Sequence, residues 1–196
     1  LYTSFNVVLL GLFEPSTAVA HFGAAERIVR IGITVLAPIG TAVIPRLTML
    51  QSAGRRDRAR RLLLIAVAAS AIPALLLTIG LALFAPTVID IIYGQRFVGA
   101  SSPILRVLVL IIPIDVTGVV FGLWLITLHR DRLVAMIVVC AGIANIVLGC
   151  VLTPLFGPVG MAWSVIAAES TAAVGGIVMV RRSSRRTRAA PLSTAA

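Results

Sequence analysis

From Leu133 to Ala168 the chain runs without one charged side chain. As a helix that stretch is about 54 Å long, far more than the ~30 Å hydrocarbon core of a bilayer. A helix bordering water needs a polar side, so a run this long and this uncharged belongs in lipid. It reads as two membrane spans. Thr153-Pro154-Leu155-Phe156-Gly157-Pro158 marks the division, since Gly and Pro punctuate regular structure.

The remainder repeats the pattern. The chain is 59% apolar and 12% charged, where a soluble domain is roughly a quarter charged. A soluble enzyme, a disordered tail and a secreted disulfide scaffold are excluded together. The expected fold is all-α, a polytopic bundle of six transmembrane spans. The first, Leu1–Phe13, reaches about 20 Å and reads as truncated, so the chain is expected to be a fragment of something longer. No charged segment precedes an apolar core, and no signal peptide is expected. The second span runs roughly from Ile28 to Met49, and the third begins at Leu62 and stays uncharged until Asp90. A turn-rich connector, Tyr93–Pro103, leads into the fourth, Ile104–Leu128. The fifth and sixth follow the break His129-Arg130-Asp131-Arg132 and end at Val180. Residues 1–180 form one bundle, and 181–196 a basic cytoplasmic tail expected to be disordered.

Arginine placement tests this alternation. If the tail is cytoplasmic, the loop after the second span and the break after the fourth fall on its side. These three segments hold 5, 2 and 5 arginines, against Arg96 and at most Arg27, Arg30 and Arg106 opposite. Twelve against four is a strong positive-inside signal, with the C-terminus inside. It also accounts for the net charge of +10 without any nucleic-acid partner. Anionic lipid headgroups are a further candidate for the tail.

Enzyme chemistry finds no footing. All 17 basic residues are arginine, which removes the phosphate-loop, Schiff-base and kinase-type lysines. His129-Arg130-Asp131 matches a kinase catalytic tripeptide but lies in a short turn between spans. Cys140 and Cys150 are about 15 Å apart on one helix, too far for a mutual disulfide. No metal-ligand spacing or hydrolase set is present, and neither a metal nor a cofactor is expected.

Polar groups at bilayer depth are functional candidates. Glu26 and Arg30 are i,i+4, and Arg27 and Arg30 share a helix face. Two guanidinium forks on one face suit phosphate. Position alone leaves open whether they line a cavity or snorkel to the outer interface. Asp115 lies 11 residues into the fourth span and should face a wet cavity or a partner such as Arg106, or be protonated. Glu169 in the sixth span invites the same reading, or a hydrogen bond to a neighbouring helix. Asn6 and Asn145 read as helix–helix glue, and stripes such as Gly160-Ser164-Ala168 as packing. Pro38, Pro73 and Pro113 sit inside spans and suit helices that bend.

Three stretches carry a resemblance. Phe22-Gly23-Ala24-Ala25-Glu26-Arg27-Ile28-Val29-Arg30 with Pro38–Leu47 resembles the second helix of a half in bacterial polysaccharide flippases. Ala85-Pro86 with Ile92-Tyr93-Gly94-Gln95-Arg96-Phe97 is similar to their connector after the third helix. Pro154-Leu155-Phe156-Gly157-Pro158-Val159-Gly160 resembles their last hairpin. These are the O-antigen and exopolysaccharide flippases of the multidrug/oligosaccharidyl-lipid/polysaccharide exporter superfamily, and the chain corresponds to their C-terminal half. The resemblance implies one half of a twelve-to-fourteen-helix transporter fold in the bacterial inner membrane. It implies inversion of a polyprenyl-diphosphate-linked oligosaccharide for lipopolysaccharide or exopolysaccharide synthesis. Arg27 and Arg30 would then contact the diphosphate or acidic sugars, with Glu26 balancing them. Asp115 and Glu169 are candidates for ion coupling from depth alone. Partners would be the lipid-linked oligosaccharide, membrane lipids, and polysaccharide polymerase and chain-length proteins. Two alternatives stand beside this reading: a cation-coupled multidrug exporter of the same superfamily, and a non-transporting membrane partner of polysaccharide assembly.

Overall fold

The computed structural model describes residues 3–128 and 130–188, and among these every regular element is an α-helix. In chain order they are α1 (Thr3–Phe13), α2 (Ser16–Thr41), α3 (Ile44–Ser52), α4 (Arg56–Leu83), α5 (Ala85–Tyr93), α6 (Gln95–Leu108), α7 (Ile111–Thr127) and α8 (Asp131–Arg188). Four runs are long and apolar enough to cross a membrane: Ser16–Ser52, Asp57–Leu83, Gln95–Thr127 and Asp131–Val180. The last folds back on itself at Gly157, where φ is 58° and ψ is −143°. Only glycine adopts that backbone without strain. With α1 and the two arms of α8 counted, six rods make the bundle.

Neighbouring residues fix the directions. Gly32 and Gly40 of α2 face Ile112 and Val120 of α7, so these helices run parallel; the same glycines face Leu77 and Ser70 of α4, which runs the other way. Phe121 meets Gly176 and Gly118 meets Ala173, making α7 parallel to the second arm of α8. Asn6 and Leu9 of α1 meet Asn145 and Gly149 of the first arm, again parallel. Every pairing agrees with rods that alternate up and down. The central rod is α7, packed against α2, α3, α4 and α8.

Several expected boundaries shift. The second span starts at Ser16, twelve residues before Ile28, and breaks at Ala42-Val43 before Pro45. The third begins at Arg56 and ends at Leu83. Charge marks where lipid ends, whereas Arg and Glu are good helix formers, so helices outrun the uncharged window. The connector Tyr93–Pro103 is not turn-rich: it is mostly α6, interrupted only at Gly94, where φ is 85°. The fourth span is broken at Val109-Leu110 into α6 and α7. At the hairpin only Gly157 leaves helical geometry, not the whole of Thr153–Pro158. The backbone of α8 stays helical through Arg188. The end of the tail, 189–196, and His129 of the His-Arg-Asp turn lie outside the described residues.

The α6–α7 break has a local cause. Pro113 lacks the N–H that would bond the Val109 carbonyl one turn earlier. The Ile112 N–H takes that carbonyl instead at 3.1 Å, and the buried Thr78 hydroxyl of α4 reaches it at 3.2 Å while bonding Ala74 O at 2.8 Å. Thr78→Val is expected to lower stability by about 1–2 kcal/mol. A depressed unfolding midpoint in detergent, with unchanged expression, is the measurement.

Buried polar contacts also fasten α1. The Asn145 Nδ2 amide donates to Asn6 Oδ1 at 2.5 Å, and the Ser164 hydroxyl lies 3.3 Å from Asn145 Oδ1. All three residues are fully buried. The expected role of Asn6 and Asn145 as inter-helix glue matches this geometry. At the far end of the bundle Leu47, Leu63, Val120 and Trp124 form a separate apolar cluster, with Leu128 and Val180 against it.

Candidate functional site

Two faces of α2 are chemically opposite. Phe22, Ala25, Val29, Gly32, Leu36 and Gly40 are buried against the bundle. The other side carries Arg27, Arg30, Ile31, Thr34 and Val35, which line an open groove of about 310 Å³. The i,i+3,i+4 spacing of both sets is that of one helix turned half round. All five lining residues belong to this one face of α2.

Within the groove the two arginines differ. Arg30 Nη2 donates to Glu26 Oε1 at 2.6 Å, with side-chain exposures of 48% and 16%. Glu26 is therefore the more buried partner of the pair. Asp115 of α7 is half-buried and forms no ion pair within 4 Å among the described residues. Arg106, at the end of α6, is exposed. Arg27 is exposed and makes no ion pair among the described residues. The Thr34 hydroxyl donates to the Arg30 carbonyl at 2.8 Å.

Glu169 is 8% exposed and does not line the groove. It lies one turn before Ala173, and Asp115 one turn before the Gly118 that faces Ala173, so the two carboxyls sit at similar height. The structure brings Glu26, Arg27 and Arg30 together on one stretch of α2, while neither Asp115 nor Glu169 lines the groove. Sequence reading missed Ile31, Thr34 and Val35, although they continue the Arg27–Arg30 face at helical spacing. It also missed the His21 Nδ1 contact to Ser101 Oγ at 3.0 Å, which ties the start of α2 to α6. Cys140 and Cys150 are both free and exposed.

A bundle of alternating apolar helices, with paired arginines on one groove-lining face, defines a multi-pass integral membrane protein. The chain belongs to the MatE family, whose match covers residues 1–151. It is similar to a Shigella dysenteriae protein named "Putative O-antigen transporter", 25% identical over 169 residues. That match covers 86% of this chain and 42% of the other. Among solved structures it is similar in fold to lipid II flippase MurJ in an inward closed conformation, with a TM-score of 0.76 and 16% identity. There it covers 88% of this chain and 38% of MurJ. The chain thus spans less than half the length of either relative. Both are named for moving a molecule, not for an enzymatic reaction, in line with the expectation that this chain is not an enzyme.

Proposed function

We propose that this chain is the substrate-handling part of a flippase that carries a polyprenyl-diphosphate-linked oligosaccharide across a bacterial inner membrane. The observation that carries the reading is the Arg27–Arg30 groove, cationic at one end and apolar at Ile31 and Val35. A lipid diphosphate makes two opposed demands: its phosphates need hydration and cations, its tail needs hydrocarbon. Guanidinium forks bind phosphate oxygens in pairs, and the adjoining apolar strip accepts chain methylenes. Glu26 orients Arg30, while Asp115, with Glu169 at similar height, handles a coupling cation. The names of the two relatives, an O-antigen transporter and a lipid II flippase, support this reading.

In the same proposal, residues 1–180 form one bundle and 181–196 a basic tail. The arginine-rich end faces the cytoplasm, as the positive-inside rule requires. Lipopolysaccharide or exopolysaccharide precursors are the substrate class, with polymerase and chain-length proteins as assembly partners. Reconstituted into liposomes with fluorescent polyprenyl-diphosphate oligosaccharide, the protein is expected to move label between leaflets, read as loss of protection from an impermeant glycosidase. Drug efflux without glycolipid movement would reassign it to a multidrug exporter. Binding to a polymerase with neither activity would make it an assembly partner.

A further inference from the structure

Along the α2–α3 rod one spacing repeats. Thr34, Thr41 and Thr48 recur every seventh residue, and Pro38 and Pro45 each stand four places after a threonine. Proline has no N–H to return to the carbonyl one turn back, so the Thr34 and Thr41 carbonyls lose their helical donors. At the α2–α3 junction the Ala42 N–H bonds Pro38 O and the Leu47 N–H bonds Val43 O, both at 3.0 Å, and no junction bond ends on Thr41 O. The Val109 carbonyl freed by Pro113 is captured by Thr78 of another helix, whereas among the described residues no such side chain reaches Thr34 or Thr41. The three hydroxyls point their protons inward: Thr34 to Arg30 O at 2.8 Å, Thr41 to Pro38 O at 3.3 Å and Thr48 to Ile44 O at 3.0 Å. With the proton engaged in the helix, each hydroxyl offers only lone pairs to whatever lies outside.

These residues share one exposed face. At about 100° per residue, Arg27, Arg30, Thr34, Pro38 and Thr41 fall within roughly 80° of helix arc. Ile31, Val35 and Ile39, also exposed, form the adjoining edge. Backbone freed from its helical bonds persists at membrane depth only where protein buries it or water lines it. The Thr34 and Thr41 carbonyls, on an exposed face, therefore border water rather than hydrocarbon.

We infer that this polar line is the glycan subsite of the groove. The diphosphate sits at Arg27 and Arg30, and sugar hydroxyls donate to the oxygens of Thr34, Thr41 and Thr48 as the oligosaccharide extends toward α3. The inference rests on the flippase reading above and adds which surface holds the sugars and in which direction they run. A row of acceptors without donors disfavours phosphate and carboxylate oxygens and suits a ligand rich in O–H groups. A metal ion fits poorly, because successive threonines stand about 10.5 Å apart along the helix and a hard cation needs several oxygens converging on one point. Tail and glycan thus take separate edges of one helix face, the tail along Ile31 and Val35.

Equilibrium binding tests this apart from transport. The purified protein in detergent is titrated with radiolabelled polyprenyl diphosphate and with the same lipid carrying a neutral oligosaccharide, and the readout is the ratio of the two affinities. The glycan-bearing lipid is expected to bind about tenfold more tightly, the worth of one or two net hydrogen bonds. Pro38→Ala/Pro45→Ala returns an N–H to both carbonyls and raises helix propensity, so folding is not at risk. Thr34→Val/Thr41→Val keeps the prolines and removes two hydroxyl acceptors. Each pair is expected to cut the ratio to about threefold, and the four substitutions together to abolish it. Arg30→Ala is expected to weaken both lipids and keep the ratio, as any purely structural damage also would. A wild-type ratio near one, or a ratio that persists through all four substitutions, overturns the glycan subsite and leaves the diphosphate reading standing. Failure of both lipids to bind overturns that reading and the subsite with it.

Discussion

Arg30→Ala is expected to slow oligosaccharide-lipid transfer by about a hundredfold, while the protein still inserts and folds. Losing one partner of a close charge pair costs on the order of 2–5 kcal/mol, which at a diphosphate translates into that rate. Folding should be spared because Arg30 projects from the outward face of α2 with its side chain 48% exposed. The buried stripe from Phe22 to Gly40 remains intact. Glu26 loses its ion-pair partner but keeps some access to water. Arg30→Lys should recover part of the rate, since an ammonium keeps the charge and gives up the fork. Arg27→Ala should fall near Arg30→Ala. Normal transfer of labelled substrate by Arg30→Ala would remove this residue from the mechanism.

Gly160→Val is the second large effect, and it acts on the fold. Just after the Gly157 turn, a Cβ at position 160 would stand 2.1 Å from the Leu152 carbonyl oxygen and 3.0 Å from Phe156 Cβ. The first obstacle is backbone, which cannot swing aside as a side chain can. The arms of α8 must part, and with them Thr153 and Met161, which touch through a hydroxyl–sulfur contact at 3.6 Å. Overpacking of this kind typically costs about 1–3 kcal/mol, and a backbone clash belongs at the top of that range or above. Loss of the monodisperse peak on size exclusion after extraction is the expected result, with Gly99→Val as a control where a Cβ meets nothing within 4 Å. A wild-type elution profile and midpoint for Gly160→Val would contradict the packing of the hairpin.

The six-rod architecture was legible because the bilayer imposes it: long uncharged runs, arginine at alternate ends, and a Pro-Gly hairpin leave few other arrangements. Helix ends were not legible in the same way. Charge reports where lipid stops, and α2 and α4 both extend past that limit through residues that favour helix. The break at Val109-Leu110 carries one local signal, Pro113, but its capture by Thr78 is a tertiary event across thirty residues. On α2, spacing alone put Arg27 and Arg30 on one face and Glu26 within pairing distance of Arg30, and the structure forms that pair. That Asp115 of α7 and Glu169 of α8 sit at similar height depends on how α7 and the second arm of α8 pack. No pattern within either helix contains that information.

The Asn6–Asn145 contact joins residues 139 positions apart, and this has a consequence for biogenesis. Translation delivers α1 to the membrane well before the first arm of α8 exists. Until then an amide that ends wholly buried must wait in or beside lipid, where polar groups are costly. Docking of the first rod is therefore a late step, set by the ribosome's progress to the final hairpin. A stalled chain ending before Asp131 should leave α1 open to crosslinking by the insertion machinery.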